Sequence, residues 1–257
     1  MALSPMHFLI VCPLVFAAGF VDSIAGGGGL ISLPAYLISG LPVHTSIATN
    51  KLSSSLGTVI STARYAKAGY IDVKLSVFCV AAALVGASLG ANIALLIDDA
   101  VFRLIMLIVL PLTALYVMRK KDLFETDGNA QLPFARLALF ASAIAFLIGM
   151  YDGFYGPGTG TFLILLLTRF AHMDLKRANG ISKAINLTSN LASLTVYLLN
   201  AQVLLPLGLC AGAFSILGNY LGSRCFTAKG ASIAKPLILF VLLLFFGRTV
   251  LEMLGIL

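Results

Sequence analysis

The run Gly19-Phe20-Val21-Asp22-Ser23-Ile24-Ala25-Gly26-Gly27-Gly28-Gly29-Leu30 decides how this chain is read. It sets one acidic residue inside an apolar stretch, then four glycines that a helix interior disfavours. A second stretch repeats the design: Gly149-Met150-Tyr151-Asp152, then Gly153-Phe154-Tyr155 and Gly156-Pro157-Gly158-Thr159-Gly160. The apolar runs that hold them, 6–40 and 133–170, are longer than the roughly 20 residues of one bilayer crossing. Each run is therefore expected to be a hairpin broken at its glycines.

The repeat extends through the chain. Lys51, Tyr65, Gly86 and Gly90 match Lys183, Tyr197, Gly218 and Gly222 at one constant spacing, which is the mark of an internal duplication. The copies are 1–118 and 133–257, joined by a charged connector, 119–132, that opens with Arg119-Lys120-Lys121-Asp122. Six further runs are long enough to cross: 44–66, 72–97, 101–118, 176–199, 203–225 and 233–256. The expected fold is an all-α integral membrane protein of eight hydrophobic segments. Counting both hairpins, that is about 10 membrane helices.

Composition agrees. The chain is 60% hydrophobic and 11% charged, against about 25% charged in soluble domains. So little charge cannot cover a water-facing surface, and lipid is the expected solvent. The net charge of +7 does not point to nucleic acid, because the basic residues sit in short connectors rather than on one face. Met1 to Cys12 lack Lys and Arg, so no cleavable signal is expected. The placement expected is the cell (plasma or inner) membrane, multi-pass.

Basic connectors also decide between parallel and inverted copies. If each long run crossed once, Arg64, Lys67, Lys74, Arg119, Lys120, Lys121 and Arg136 would face one side. Arg103, Arg169, Lys176, Arg177, Arg224, Lys229 and Lys235 would balance them on the other. If each long run folds back, all of these share one face except Arg103. Inverted repeats with both termini outside and the 119–132 connector cytoplasmic are therefore expected. Secondary transporters with broken helices often follow this plan, with the binding site at the repeat interface.

Asp22, Lys51, Asp152 and Lys183 are the charges inside the apolar runs. Each costs roughly 2.5–3.5 kcal/mol at a helix centre on insertion scales, and all four are matched in the repeat. They read either as structural ion pairs or as an anion site with a titratable carboxylate beside it. At about 1.5 Å per residue, Asp22 falls nearer in depth to Lys183, and Asp152 nearer to Lys51. Pairing across the copies is expected. The glycines of the breaks, Gly26, Gly27, Gly28, Gly156 and Gly158, serve a tight turn or let an anion approach free backbone N–H groups. Asn50, Asn186 and Asn190 lie on polar stripes after the breaks, which read as interhelical glue or as a hydrogen-bonding wall for an oxyanion.

Other features read as structure. Gly86/Gly90 and Gly218/Gly222 are GxxxG packing sites, and Arg248 with Glu252 is an i,i+4 pair. Cys12, Cys79, Cys210 and Cys225 stand singly and read as small packing residues. His7, His44 and His172 form no HExxH motif. Neither a metal nor a cofactor is expected. Two membrane aspartates raise an intramembrane aspartyl protease, but that needs two carboxylates sharing a proton, and the Gly-x-Gly-Asp string is missing. No enzyme activity is expected.

The two broken stretches, with Ala48-Thr49-Asn50-Lys51-Leu52 and Lys183-Ala184-Ile185-Asn186-Leu187-Thr188-Ser189-Asn190, resemble the TauE/SafE (sulfite exporter-like, TSUP) family over nearly the whole chain. The resemblance implies a permease for sulfite or a small organosulfonate. On residues and resemblance together, the expectation is a secondary transporter of a small anion that works by alternating access. Lys51 and Lys183 would bind the anion, and Asp22 or Asp152 would exchange a proton. A passive anion channel is the alternative. The partners expected are the anion and the bilayer, with a homo-oligomer left open.

Overall fold

A computed structural model describes residues 3–98, 132–230, 232–234, 236, 237 and 240. The run 101–118, most of the run 233–256 and of the connector 119–132, and the Arg248–Glu252 pair lie outside the described residues. The described chain is helical, with no strand among the described residues. Its helices are α1 (Pro5–Ala25), α2 (Gly29–Ile38), α3 (Val43–Lys67), α4 (Val73–Leu95), α5 (Phe134–Phe154), α6 (Thr159–Phe170), α7 (Leu175–Leu199) and α8 (Leu205–Lys229). Both long runs break where expected. α1 ends at Gly26, whose φ of +76° is a left-handed cap that suits glycine. α6 starts after Gly158, at φ +83°.

Polar caps set the other boundaries. Asp72 opens α4 by accepting from Leu75 N at 3.2 Å. Asp174 opens α7 by accepting from Lys176 N and Arg177 N. In each case a carboxylate satisfies an orphan donor of the first turn.

Four helices, α1, α4, α5 and α8, are long and apolar enough to cross a membrane. α3 and α7 were also expected as spans and are 25 residues each. Their polar stripes keep them out of that class, and the structure places those stripes inside. Thr49, Lys51, Ser53, Thr58, Asn179, Ser182, Lys183, Ser189 and Ser193 are all buried. Large apolar side chains point outward instead, including Val77 and Leu84 on α4, Leu139 and Leu147 on α5, and Leu209 and Leu217 on α8. A polar centre inside an apolar exterior suits lipid, where each polar group needs an internal partner.

Close packing fixes helix direction. α1 lies on α8, and α5 lies on α4. A Cβ on Gly86 would sit 2.2 Å from Phe146 O, and one on Gly90 would sit 2.0 Å from Met150 O. The same contact recurs with Gly218 and Phe16 O at 2.2 Å, and with Gly222 and Phe20 O at 2.3 Å. These GxxxG sites therefore let backbones touch. Both partners step forward together, so α4 runs parallel to α5, and α8 parallel to α1. α3 and α7 run opposite ways: Thr62 donates to Lys183 O, while the later Tyr65 and the earlier Asn179 both reach Ser23 O.

One end of the bundle gathers the basic residues. Arg177 bonds Asp72 at 2.6 Å, Lys176 stands over the Tyr70 ring, and Gly230 lies against Lys176. The turns 68–72, 171–174 and 230 thus meet at this end, together with the start of α5. Arg64, Lys67, Lys74, Arg136, Arg169, Arg224 and Lys229 lie near these turns. At the other end His44 contacts Ala94 O, and Leu204 N donates to Thr49 Oγ1. Among the described residues, Lys51 and Lys183 are the Lys and Arg residues set furthest along their helices from these turns.

Candidate functional site

α7 brings Lys183 to the last turn of α1, where its Nζ lies 2.6 Å from Asp22 Oδ2. α3 brings Lys51 to the last turn of α5, 2.9 Å from Asp152 Oδ1. Each pair joins one sequence copy to the other, the crossed arrangement that depth counting gives. Side-chain exposure is 2% and 3% for Lys51 and Asp152. For Lys183 and Asp22 it is 0% and 15%.

The surroundings of the carboxylates differ. Asp152 also accepts from Thr159 Oγ1 at 2.8 Å and from Ser189 Oγ at 2.6 Å. Asp22 has Lys183 as its side-chain partner. Tyrosines tie both helix ends down: Tyr65 OH donates to Ser23 O, and Tyr197 OH to Gly153 O. These tyrosines were visible in the sequence only as repeat markers. Asn179, buried and donating to Ile24 O at 3.0 Å, had no signal beyond its place in a polar helix.

The two glycine breaks touch. A Cβ on Gly26 would lie 2.1 Å from Gly160 C. Thr161 N donates to Gly26 O at 3.2 Å, and Thr161 Oγ1 donates to Ala25 O at 2.8 Å. Gly29 packs on Pro157. Gly26 and Gly160 therefore meet backbone to backbone, with no room for a side chain between them. Gly28 and Gly156 flank the ion pairs instead. A Cβ would fall 2.5 Å from Asp22 Cβ at Gly28, and 3.1 Å from Lys51 Nζ at Gly156. Gly158 faces the Phe162 ring, and Gly27 lies in the turn between α1 and α2.

The restarting helices spend several of the backbone donors that the sequence left for an anion. Leu30 N bonds Gly27 O, while Ile31 N and Ser32 N bond Gly28 O. Thr159 N bonds Gly156 O, and Phe162 N bonds Gly158 O. The stripe asparagines are buried: Asn190 Nδ2 donates to Asn186 Oδ1, and Asn50 accepts from Ser54 Oγ. Among the described residues no cluster of His, Cys, Asp and Glu could hold a metal. Of the single cysteines, Cys12 and Cys210 meet across α1 and α8, with Sγ atoms 3.7 Å apart.

The family described as Sulfite exporter TauE/SafE matches residues 11–249. The chain is 38% identical to a "Probable membrane transporter protein ORF9" of Sinorhizobium sp, over 92% of this chain and 88% of the relative. It is 33% identical to a "Probable membrane transporter protein" of Haemophilus influenzae, over 87% and 86%. It is 30% identical to "Probable membrane transporter protein YfcA" of Escherichia coli K12, over 93% and 87%. No solved structure matches. A polar, charge-bearing centre inside apolar helices and a family match over nearly the whole length lead to one assignment: the chain belongs to the sulfite exporter TauE/SafE family of membrane transporters.

Proposed function

We propose that this protein carries a small anion across the cell membrane by alternating access between two inverted repeats, with sulfite or a small organosulfonate as substrate. The observation that carries the reading is the pair of buried Lys–Asp bridges crossed between the copies. A buried lysine held by a carboxylate can exchange that partner for a substrate anion, provided the carboxylate is neutralised when the anion arrives. The anion enters from the cytoplasmic side and takes up a lysine, while one aspartate carries a proton. Gly28, Gly156 and the asparagines of α3 and α7 line its route.

Inversion is supported by helix direction, since α3 and α7 are repeat equivalents that run opposite ways. The basic end is read as cytoplasmic by the positive-inside rule. The abutting tips at Gly26 and Gly160 form the seal that rocking of one repeat against the other would open. The substrate lean comes from the family description, while the relatives' names give transport alone.

The test uses purified protein in liposomes on a solid-supported membrane, challenged with sulfite, sulfoacetate, carboxylates and chloride. A saturable current for a sulfur oxyanion supports the reading. Discrete single-channel currents in a planar bilayer would replace the carrier with a passive channel.

A further inference from the structure

We infer that the two crossed ion pairs have different jobs: Asp22 exchanges the coupling proton beside Lys183, which receives the anion, whereas Lys51–Asp152 is a fixed brace. The assignment of the anion rests on the function proposed above, but the difference between the carboxylates does not.

Asp152 is fully engaged. Its Oδ1 takes Lys51 Nζ at 2.9 Å and Thr159 Oγ1 at 2.8 Å, and its Oδ2 takes Ser189 Oγ at 2.6 Å. Three donors occupy its oxygens, and 3% exposure leaves a proton little access. Asp22 has one of those three kinds of support. Lys183 Nζ meets its Oδ2, and its side chain is 15% exposed.

The repeat explains why. α2 and α6 both start after a glycine, Gly28 and Gly158, so Gly29 is the counterpart of Thr159. The spacing of Lys51 and Lys183 makes Gly57 the counterpart of Ser189. The residues that supply both hydroxyls to Asp152 therefore correspond to glycines in the first copy. A side chain at Gly57 is excluded, because its Cβ would fall 2.2 Å from Ser215 Oγ of α8.

Other charges do not replace them. The titratable and charged groups near this level on the helices packed on α1 include Lys183 of α7, Tyr65 and Arg64 of α3, and Tyr220, Arg224 and Cys225 of α8. The Tyr65 hydroxyl is donated to Ser23 O, Arg64 lies over the Tyr220 ring, and Arg224 is exposed. Lys183 alone among these holds the carboxylate. An ionised group open to hydrocarbon is costly, so on this reading the open side of Asp22 takes water from the basic end.

The exchange balances. A proton from water binds the Asp22 carboxylate, and the freed Lys183 ammonium pairs with the anion. On release the anion leaves, the proton returns to water, and the salt bridge re-forms. One proton therefore accompanies each anion.

Labelling of the full chain in lipid nanodiscs with dicyclohexylcarbodiimide tests this, because the reagent forms a stable N-acylurea on protonated carboxyls in apolar surroundings. Peptide mass spectrometry is expected to find the adduct on Asp22, declining as pH rises. It should exceed that on Asp152 severalfold, because Asp152 is enclosed by three donors and Asp22 is not. Equal labelling, preference for Asp152, or no pH-dependent adduct on Asp22 would overturn the assignment. In Thr159→Val with Ser189→Ala, Asp152 should become reactive, and continued silence there would refute the role of the hydroxyls. Added sulfite reads the substrate separately. An unchanged Asp22 adduct upholds the carboxylate assignment and counts against sulfite alone.

Discussion

Replacing Lys51 by Met leaves the Asp152 carboxylate inside the protein with two hydroxyl donors and no counter-charge. Removing one partner of a buried pair costs about 3–5 kcal/mol. A proton can relieve the stranded charge. Taking a carboxyl from its ordinary value near 3.9 to neutrality at pH 7 costs about 1.4 kcal/mol per pH unit, or about 4 kcal/mol. The two figures agree, so the loss at pH 7 should be about 4 kcal/mol. For a chain of this length, that is on the order of 10 °C in Tm. In Lys51→Met with Asp152→Asn, the amide oxygen can still accept from Thr159 and Ser189, so most of the loss should return. The chain has no Trp, so unfolding is best followed by circular dichroism at 222 nm in detergent. A Lys51→Met protein within about 1 kcal/mol of the parent, well under the cost of a stranded charge, would refute this. A double variant no more stable than Lys51→Met would refute it equally.

Other consequences follow from the packing and the basic end. Gly26→Ala should prevent the hairpin tips from meeting, because its Cβ would lie 2.1 Å from Gly160 C. Gly40→Ala has open space around it and should cost only about 1–2 kcal/mol for its left-handed φ; equal melting temperatures would contradict this. Burial opposes ionisation of Asp72, but bonds from Leu75 N and the Arg177 guanidinium hold its carboxyl below the usual range. Its contribution is therefore complete above the unfolded value and is lost as pH falls through the lower folded one. Arg177→Gln should cost about 0–1 kcal/mol at pH 7, as partly exposed pairs do, with the deficit vanishing in acid; a deficit that grew in acid would reverse the sign. Cysteines at Ala68 and Ala201 should react with an impermeant maleimide from opposite sides of the membrane, Ala68 from the cytoplasm. Labelling from one side would break the topology.

The fold was legible where physics leaves strong marks on sequence. Long apolar runs bounded the helices, and the glycine clusters located both breaks. The repeat gave the crossed pairing of Asp22 with Lys183 and Asp152 with Lys51, because symmetry and depth leave few other partners. The contact between Gly26 and Gly160 was not legible, since a glycine that admits an anion and one that admits another backbone look alike. The unequal carboxylates escaped for a related reason. A repeat draws attention to residues that match, whereas Thr159 and Ser189 matter because their counterparts, Gly29 and Gly57, do not. α3 and α7 were found as helices, but hydropathy alone could not say that their polar stripes face each other at the centre.

The most direct measurement is the substrate-driven current of reconstituted protein carrying Lys183→Ala or Lys51→Ala, each checked for insertion and folding before the assay. A saturable sulfite current in the parent that is lost in folded Lys183→Ala protein, with Lys51→Ala acting mainly through stability, is the result expected here. A parent current that persists undiminished in folded Lys183→Ala and Lys51→Ala would contradict the account, and would leave the crossed pairs as structural braces only.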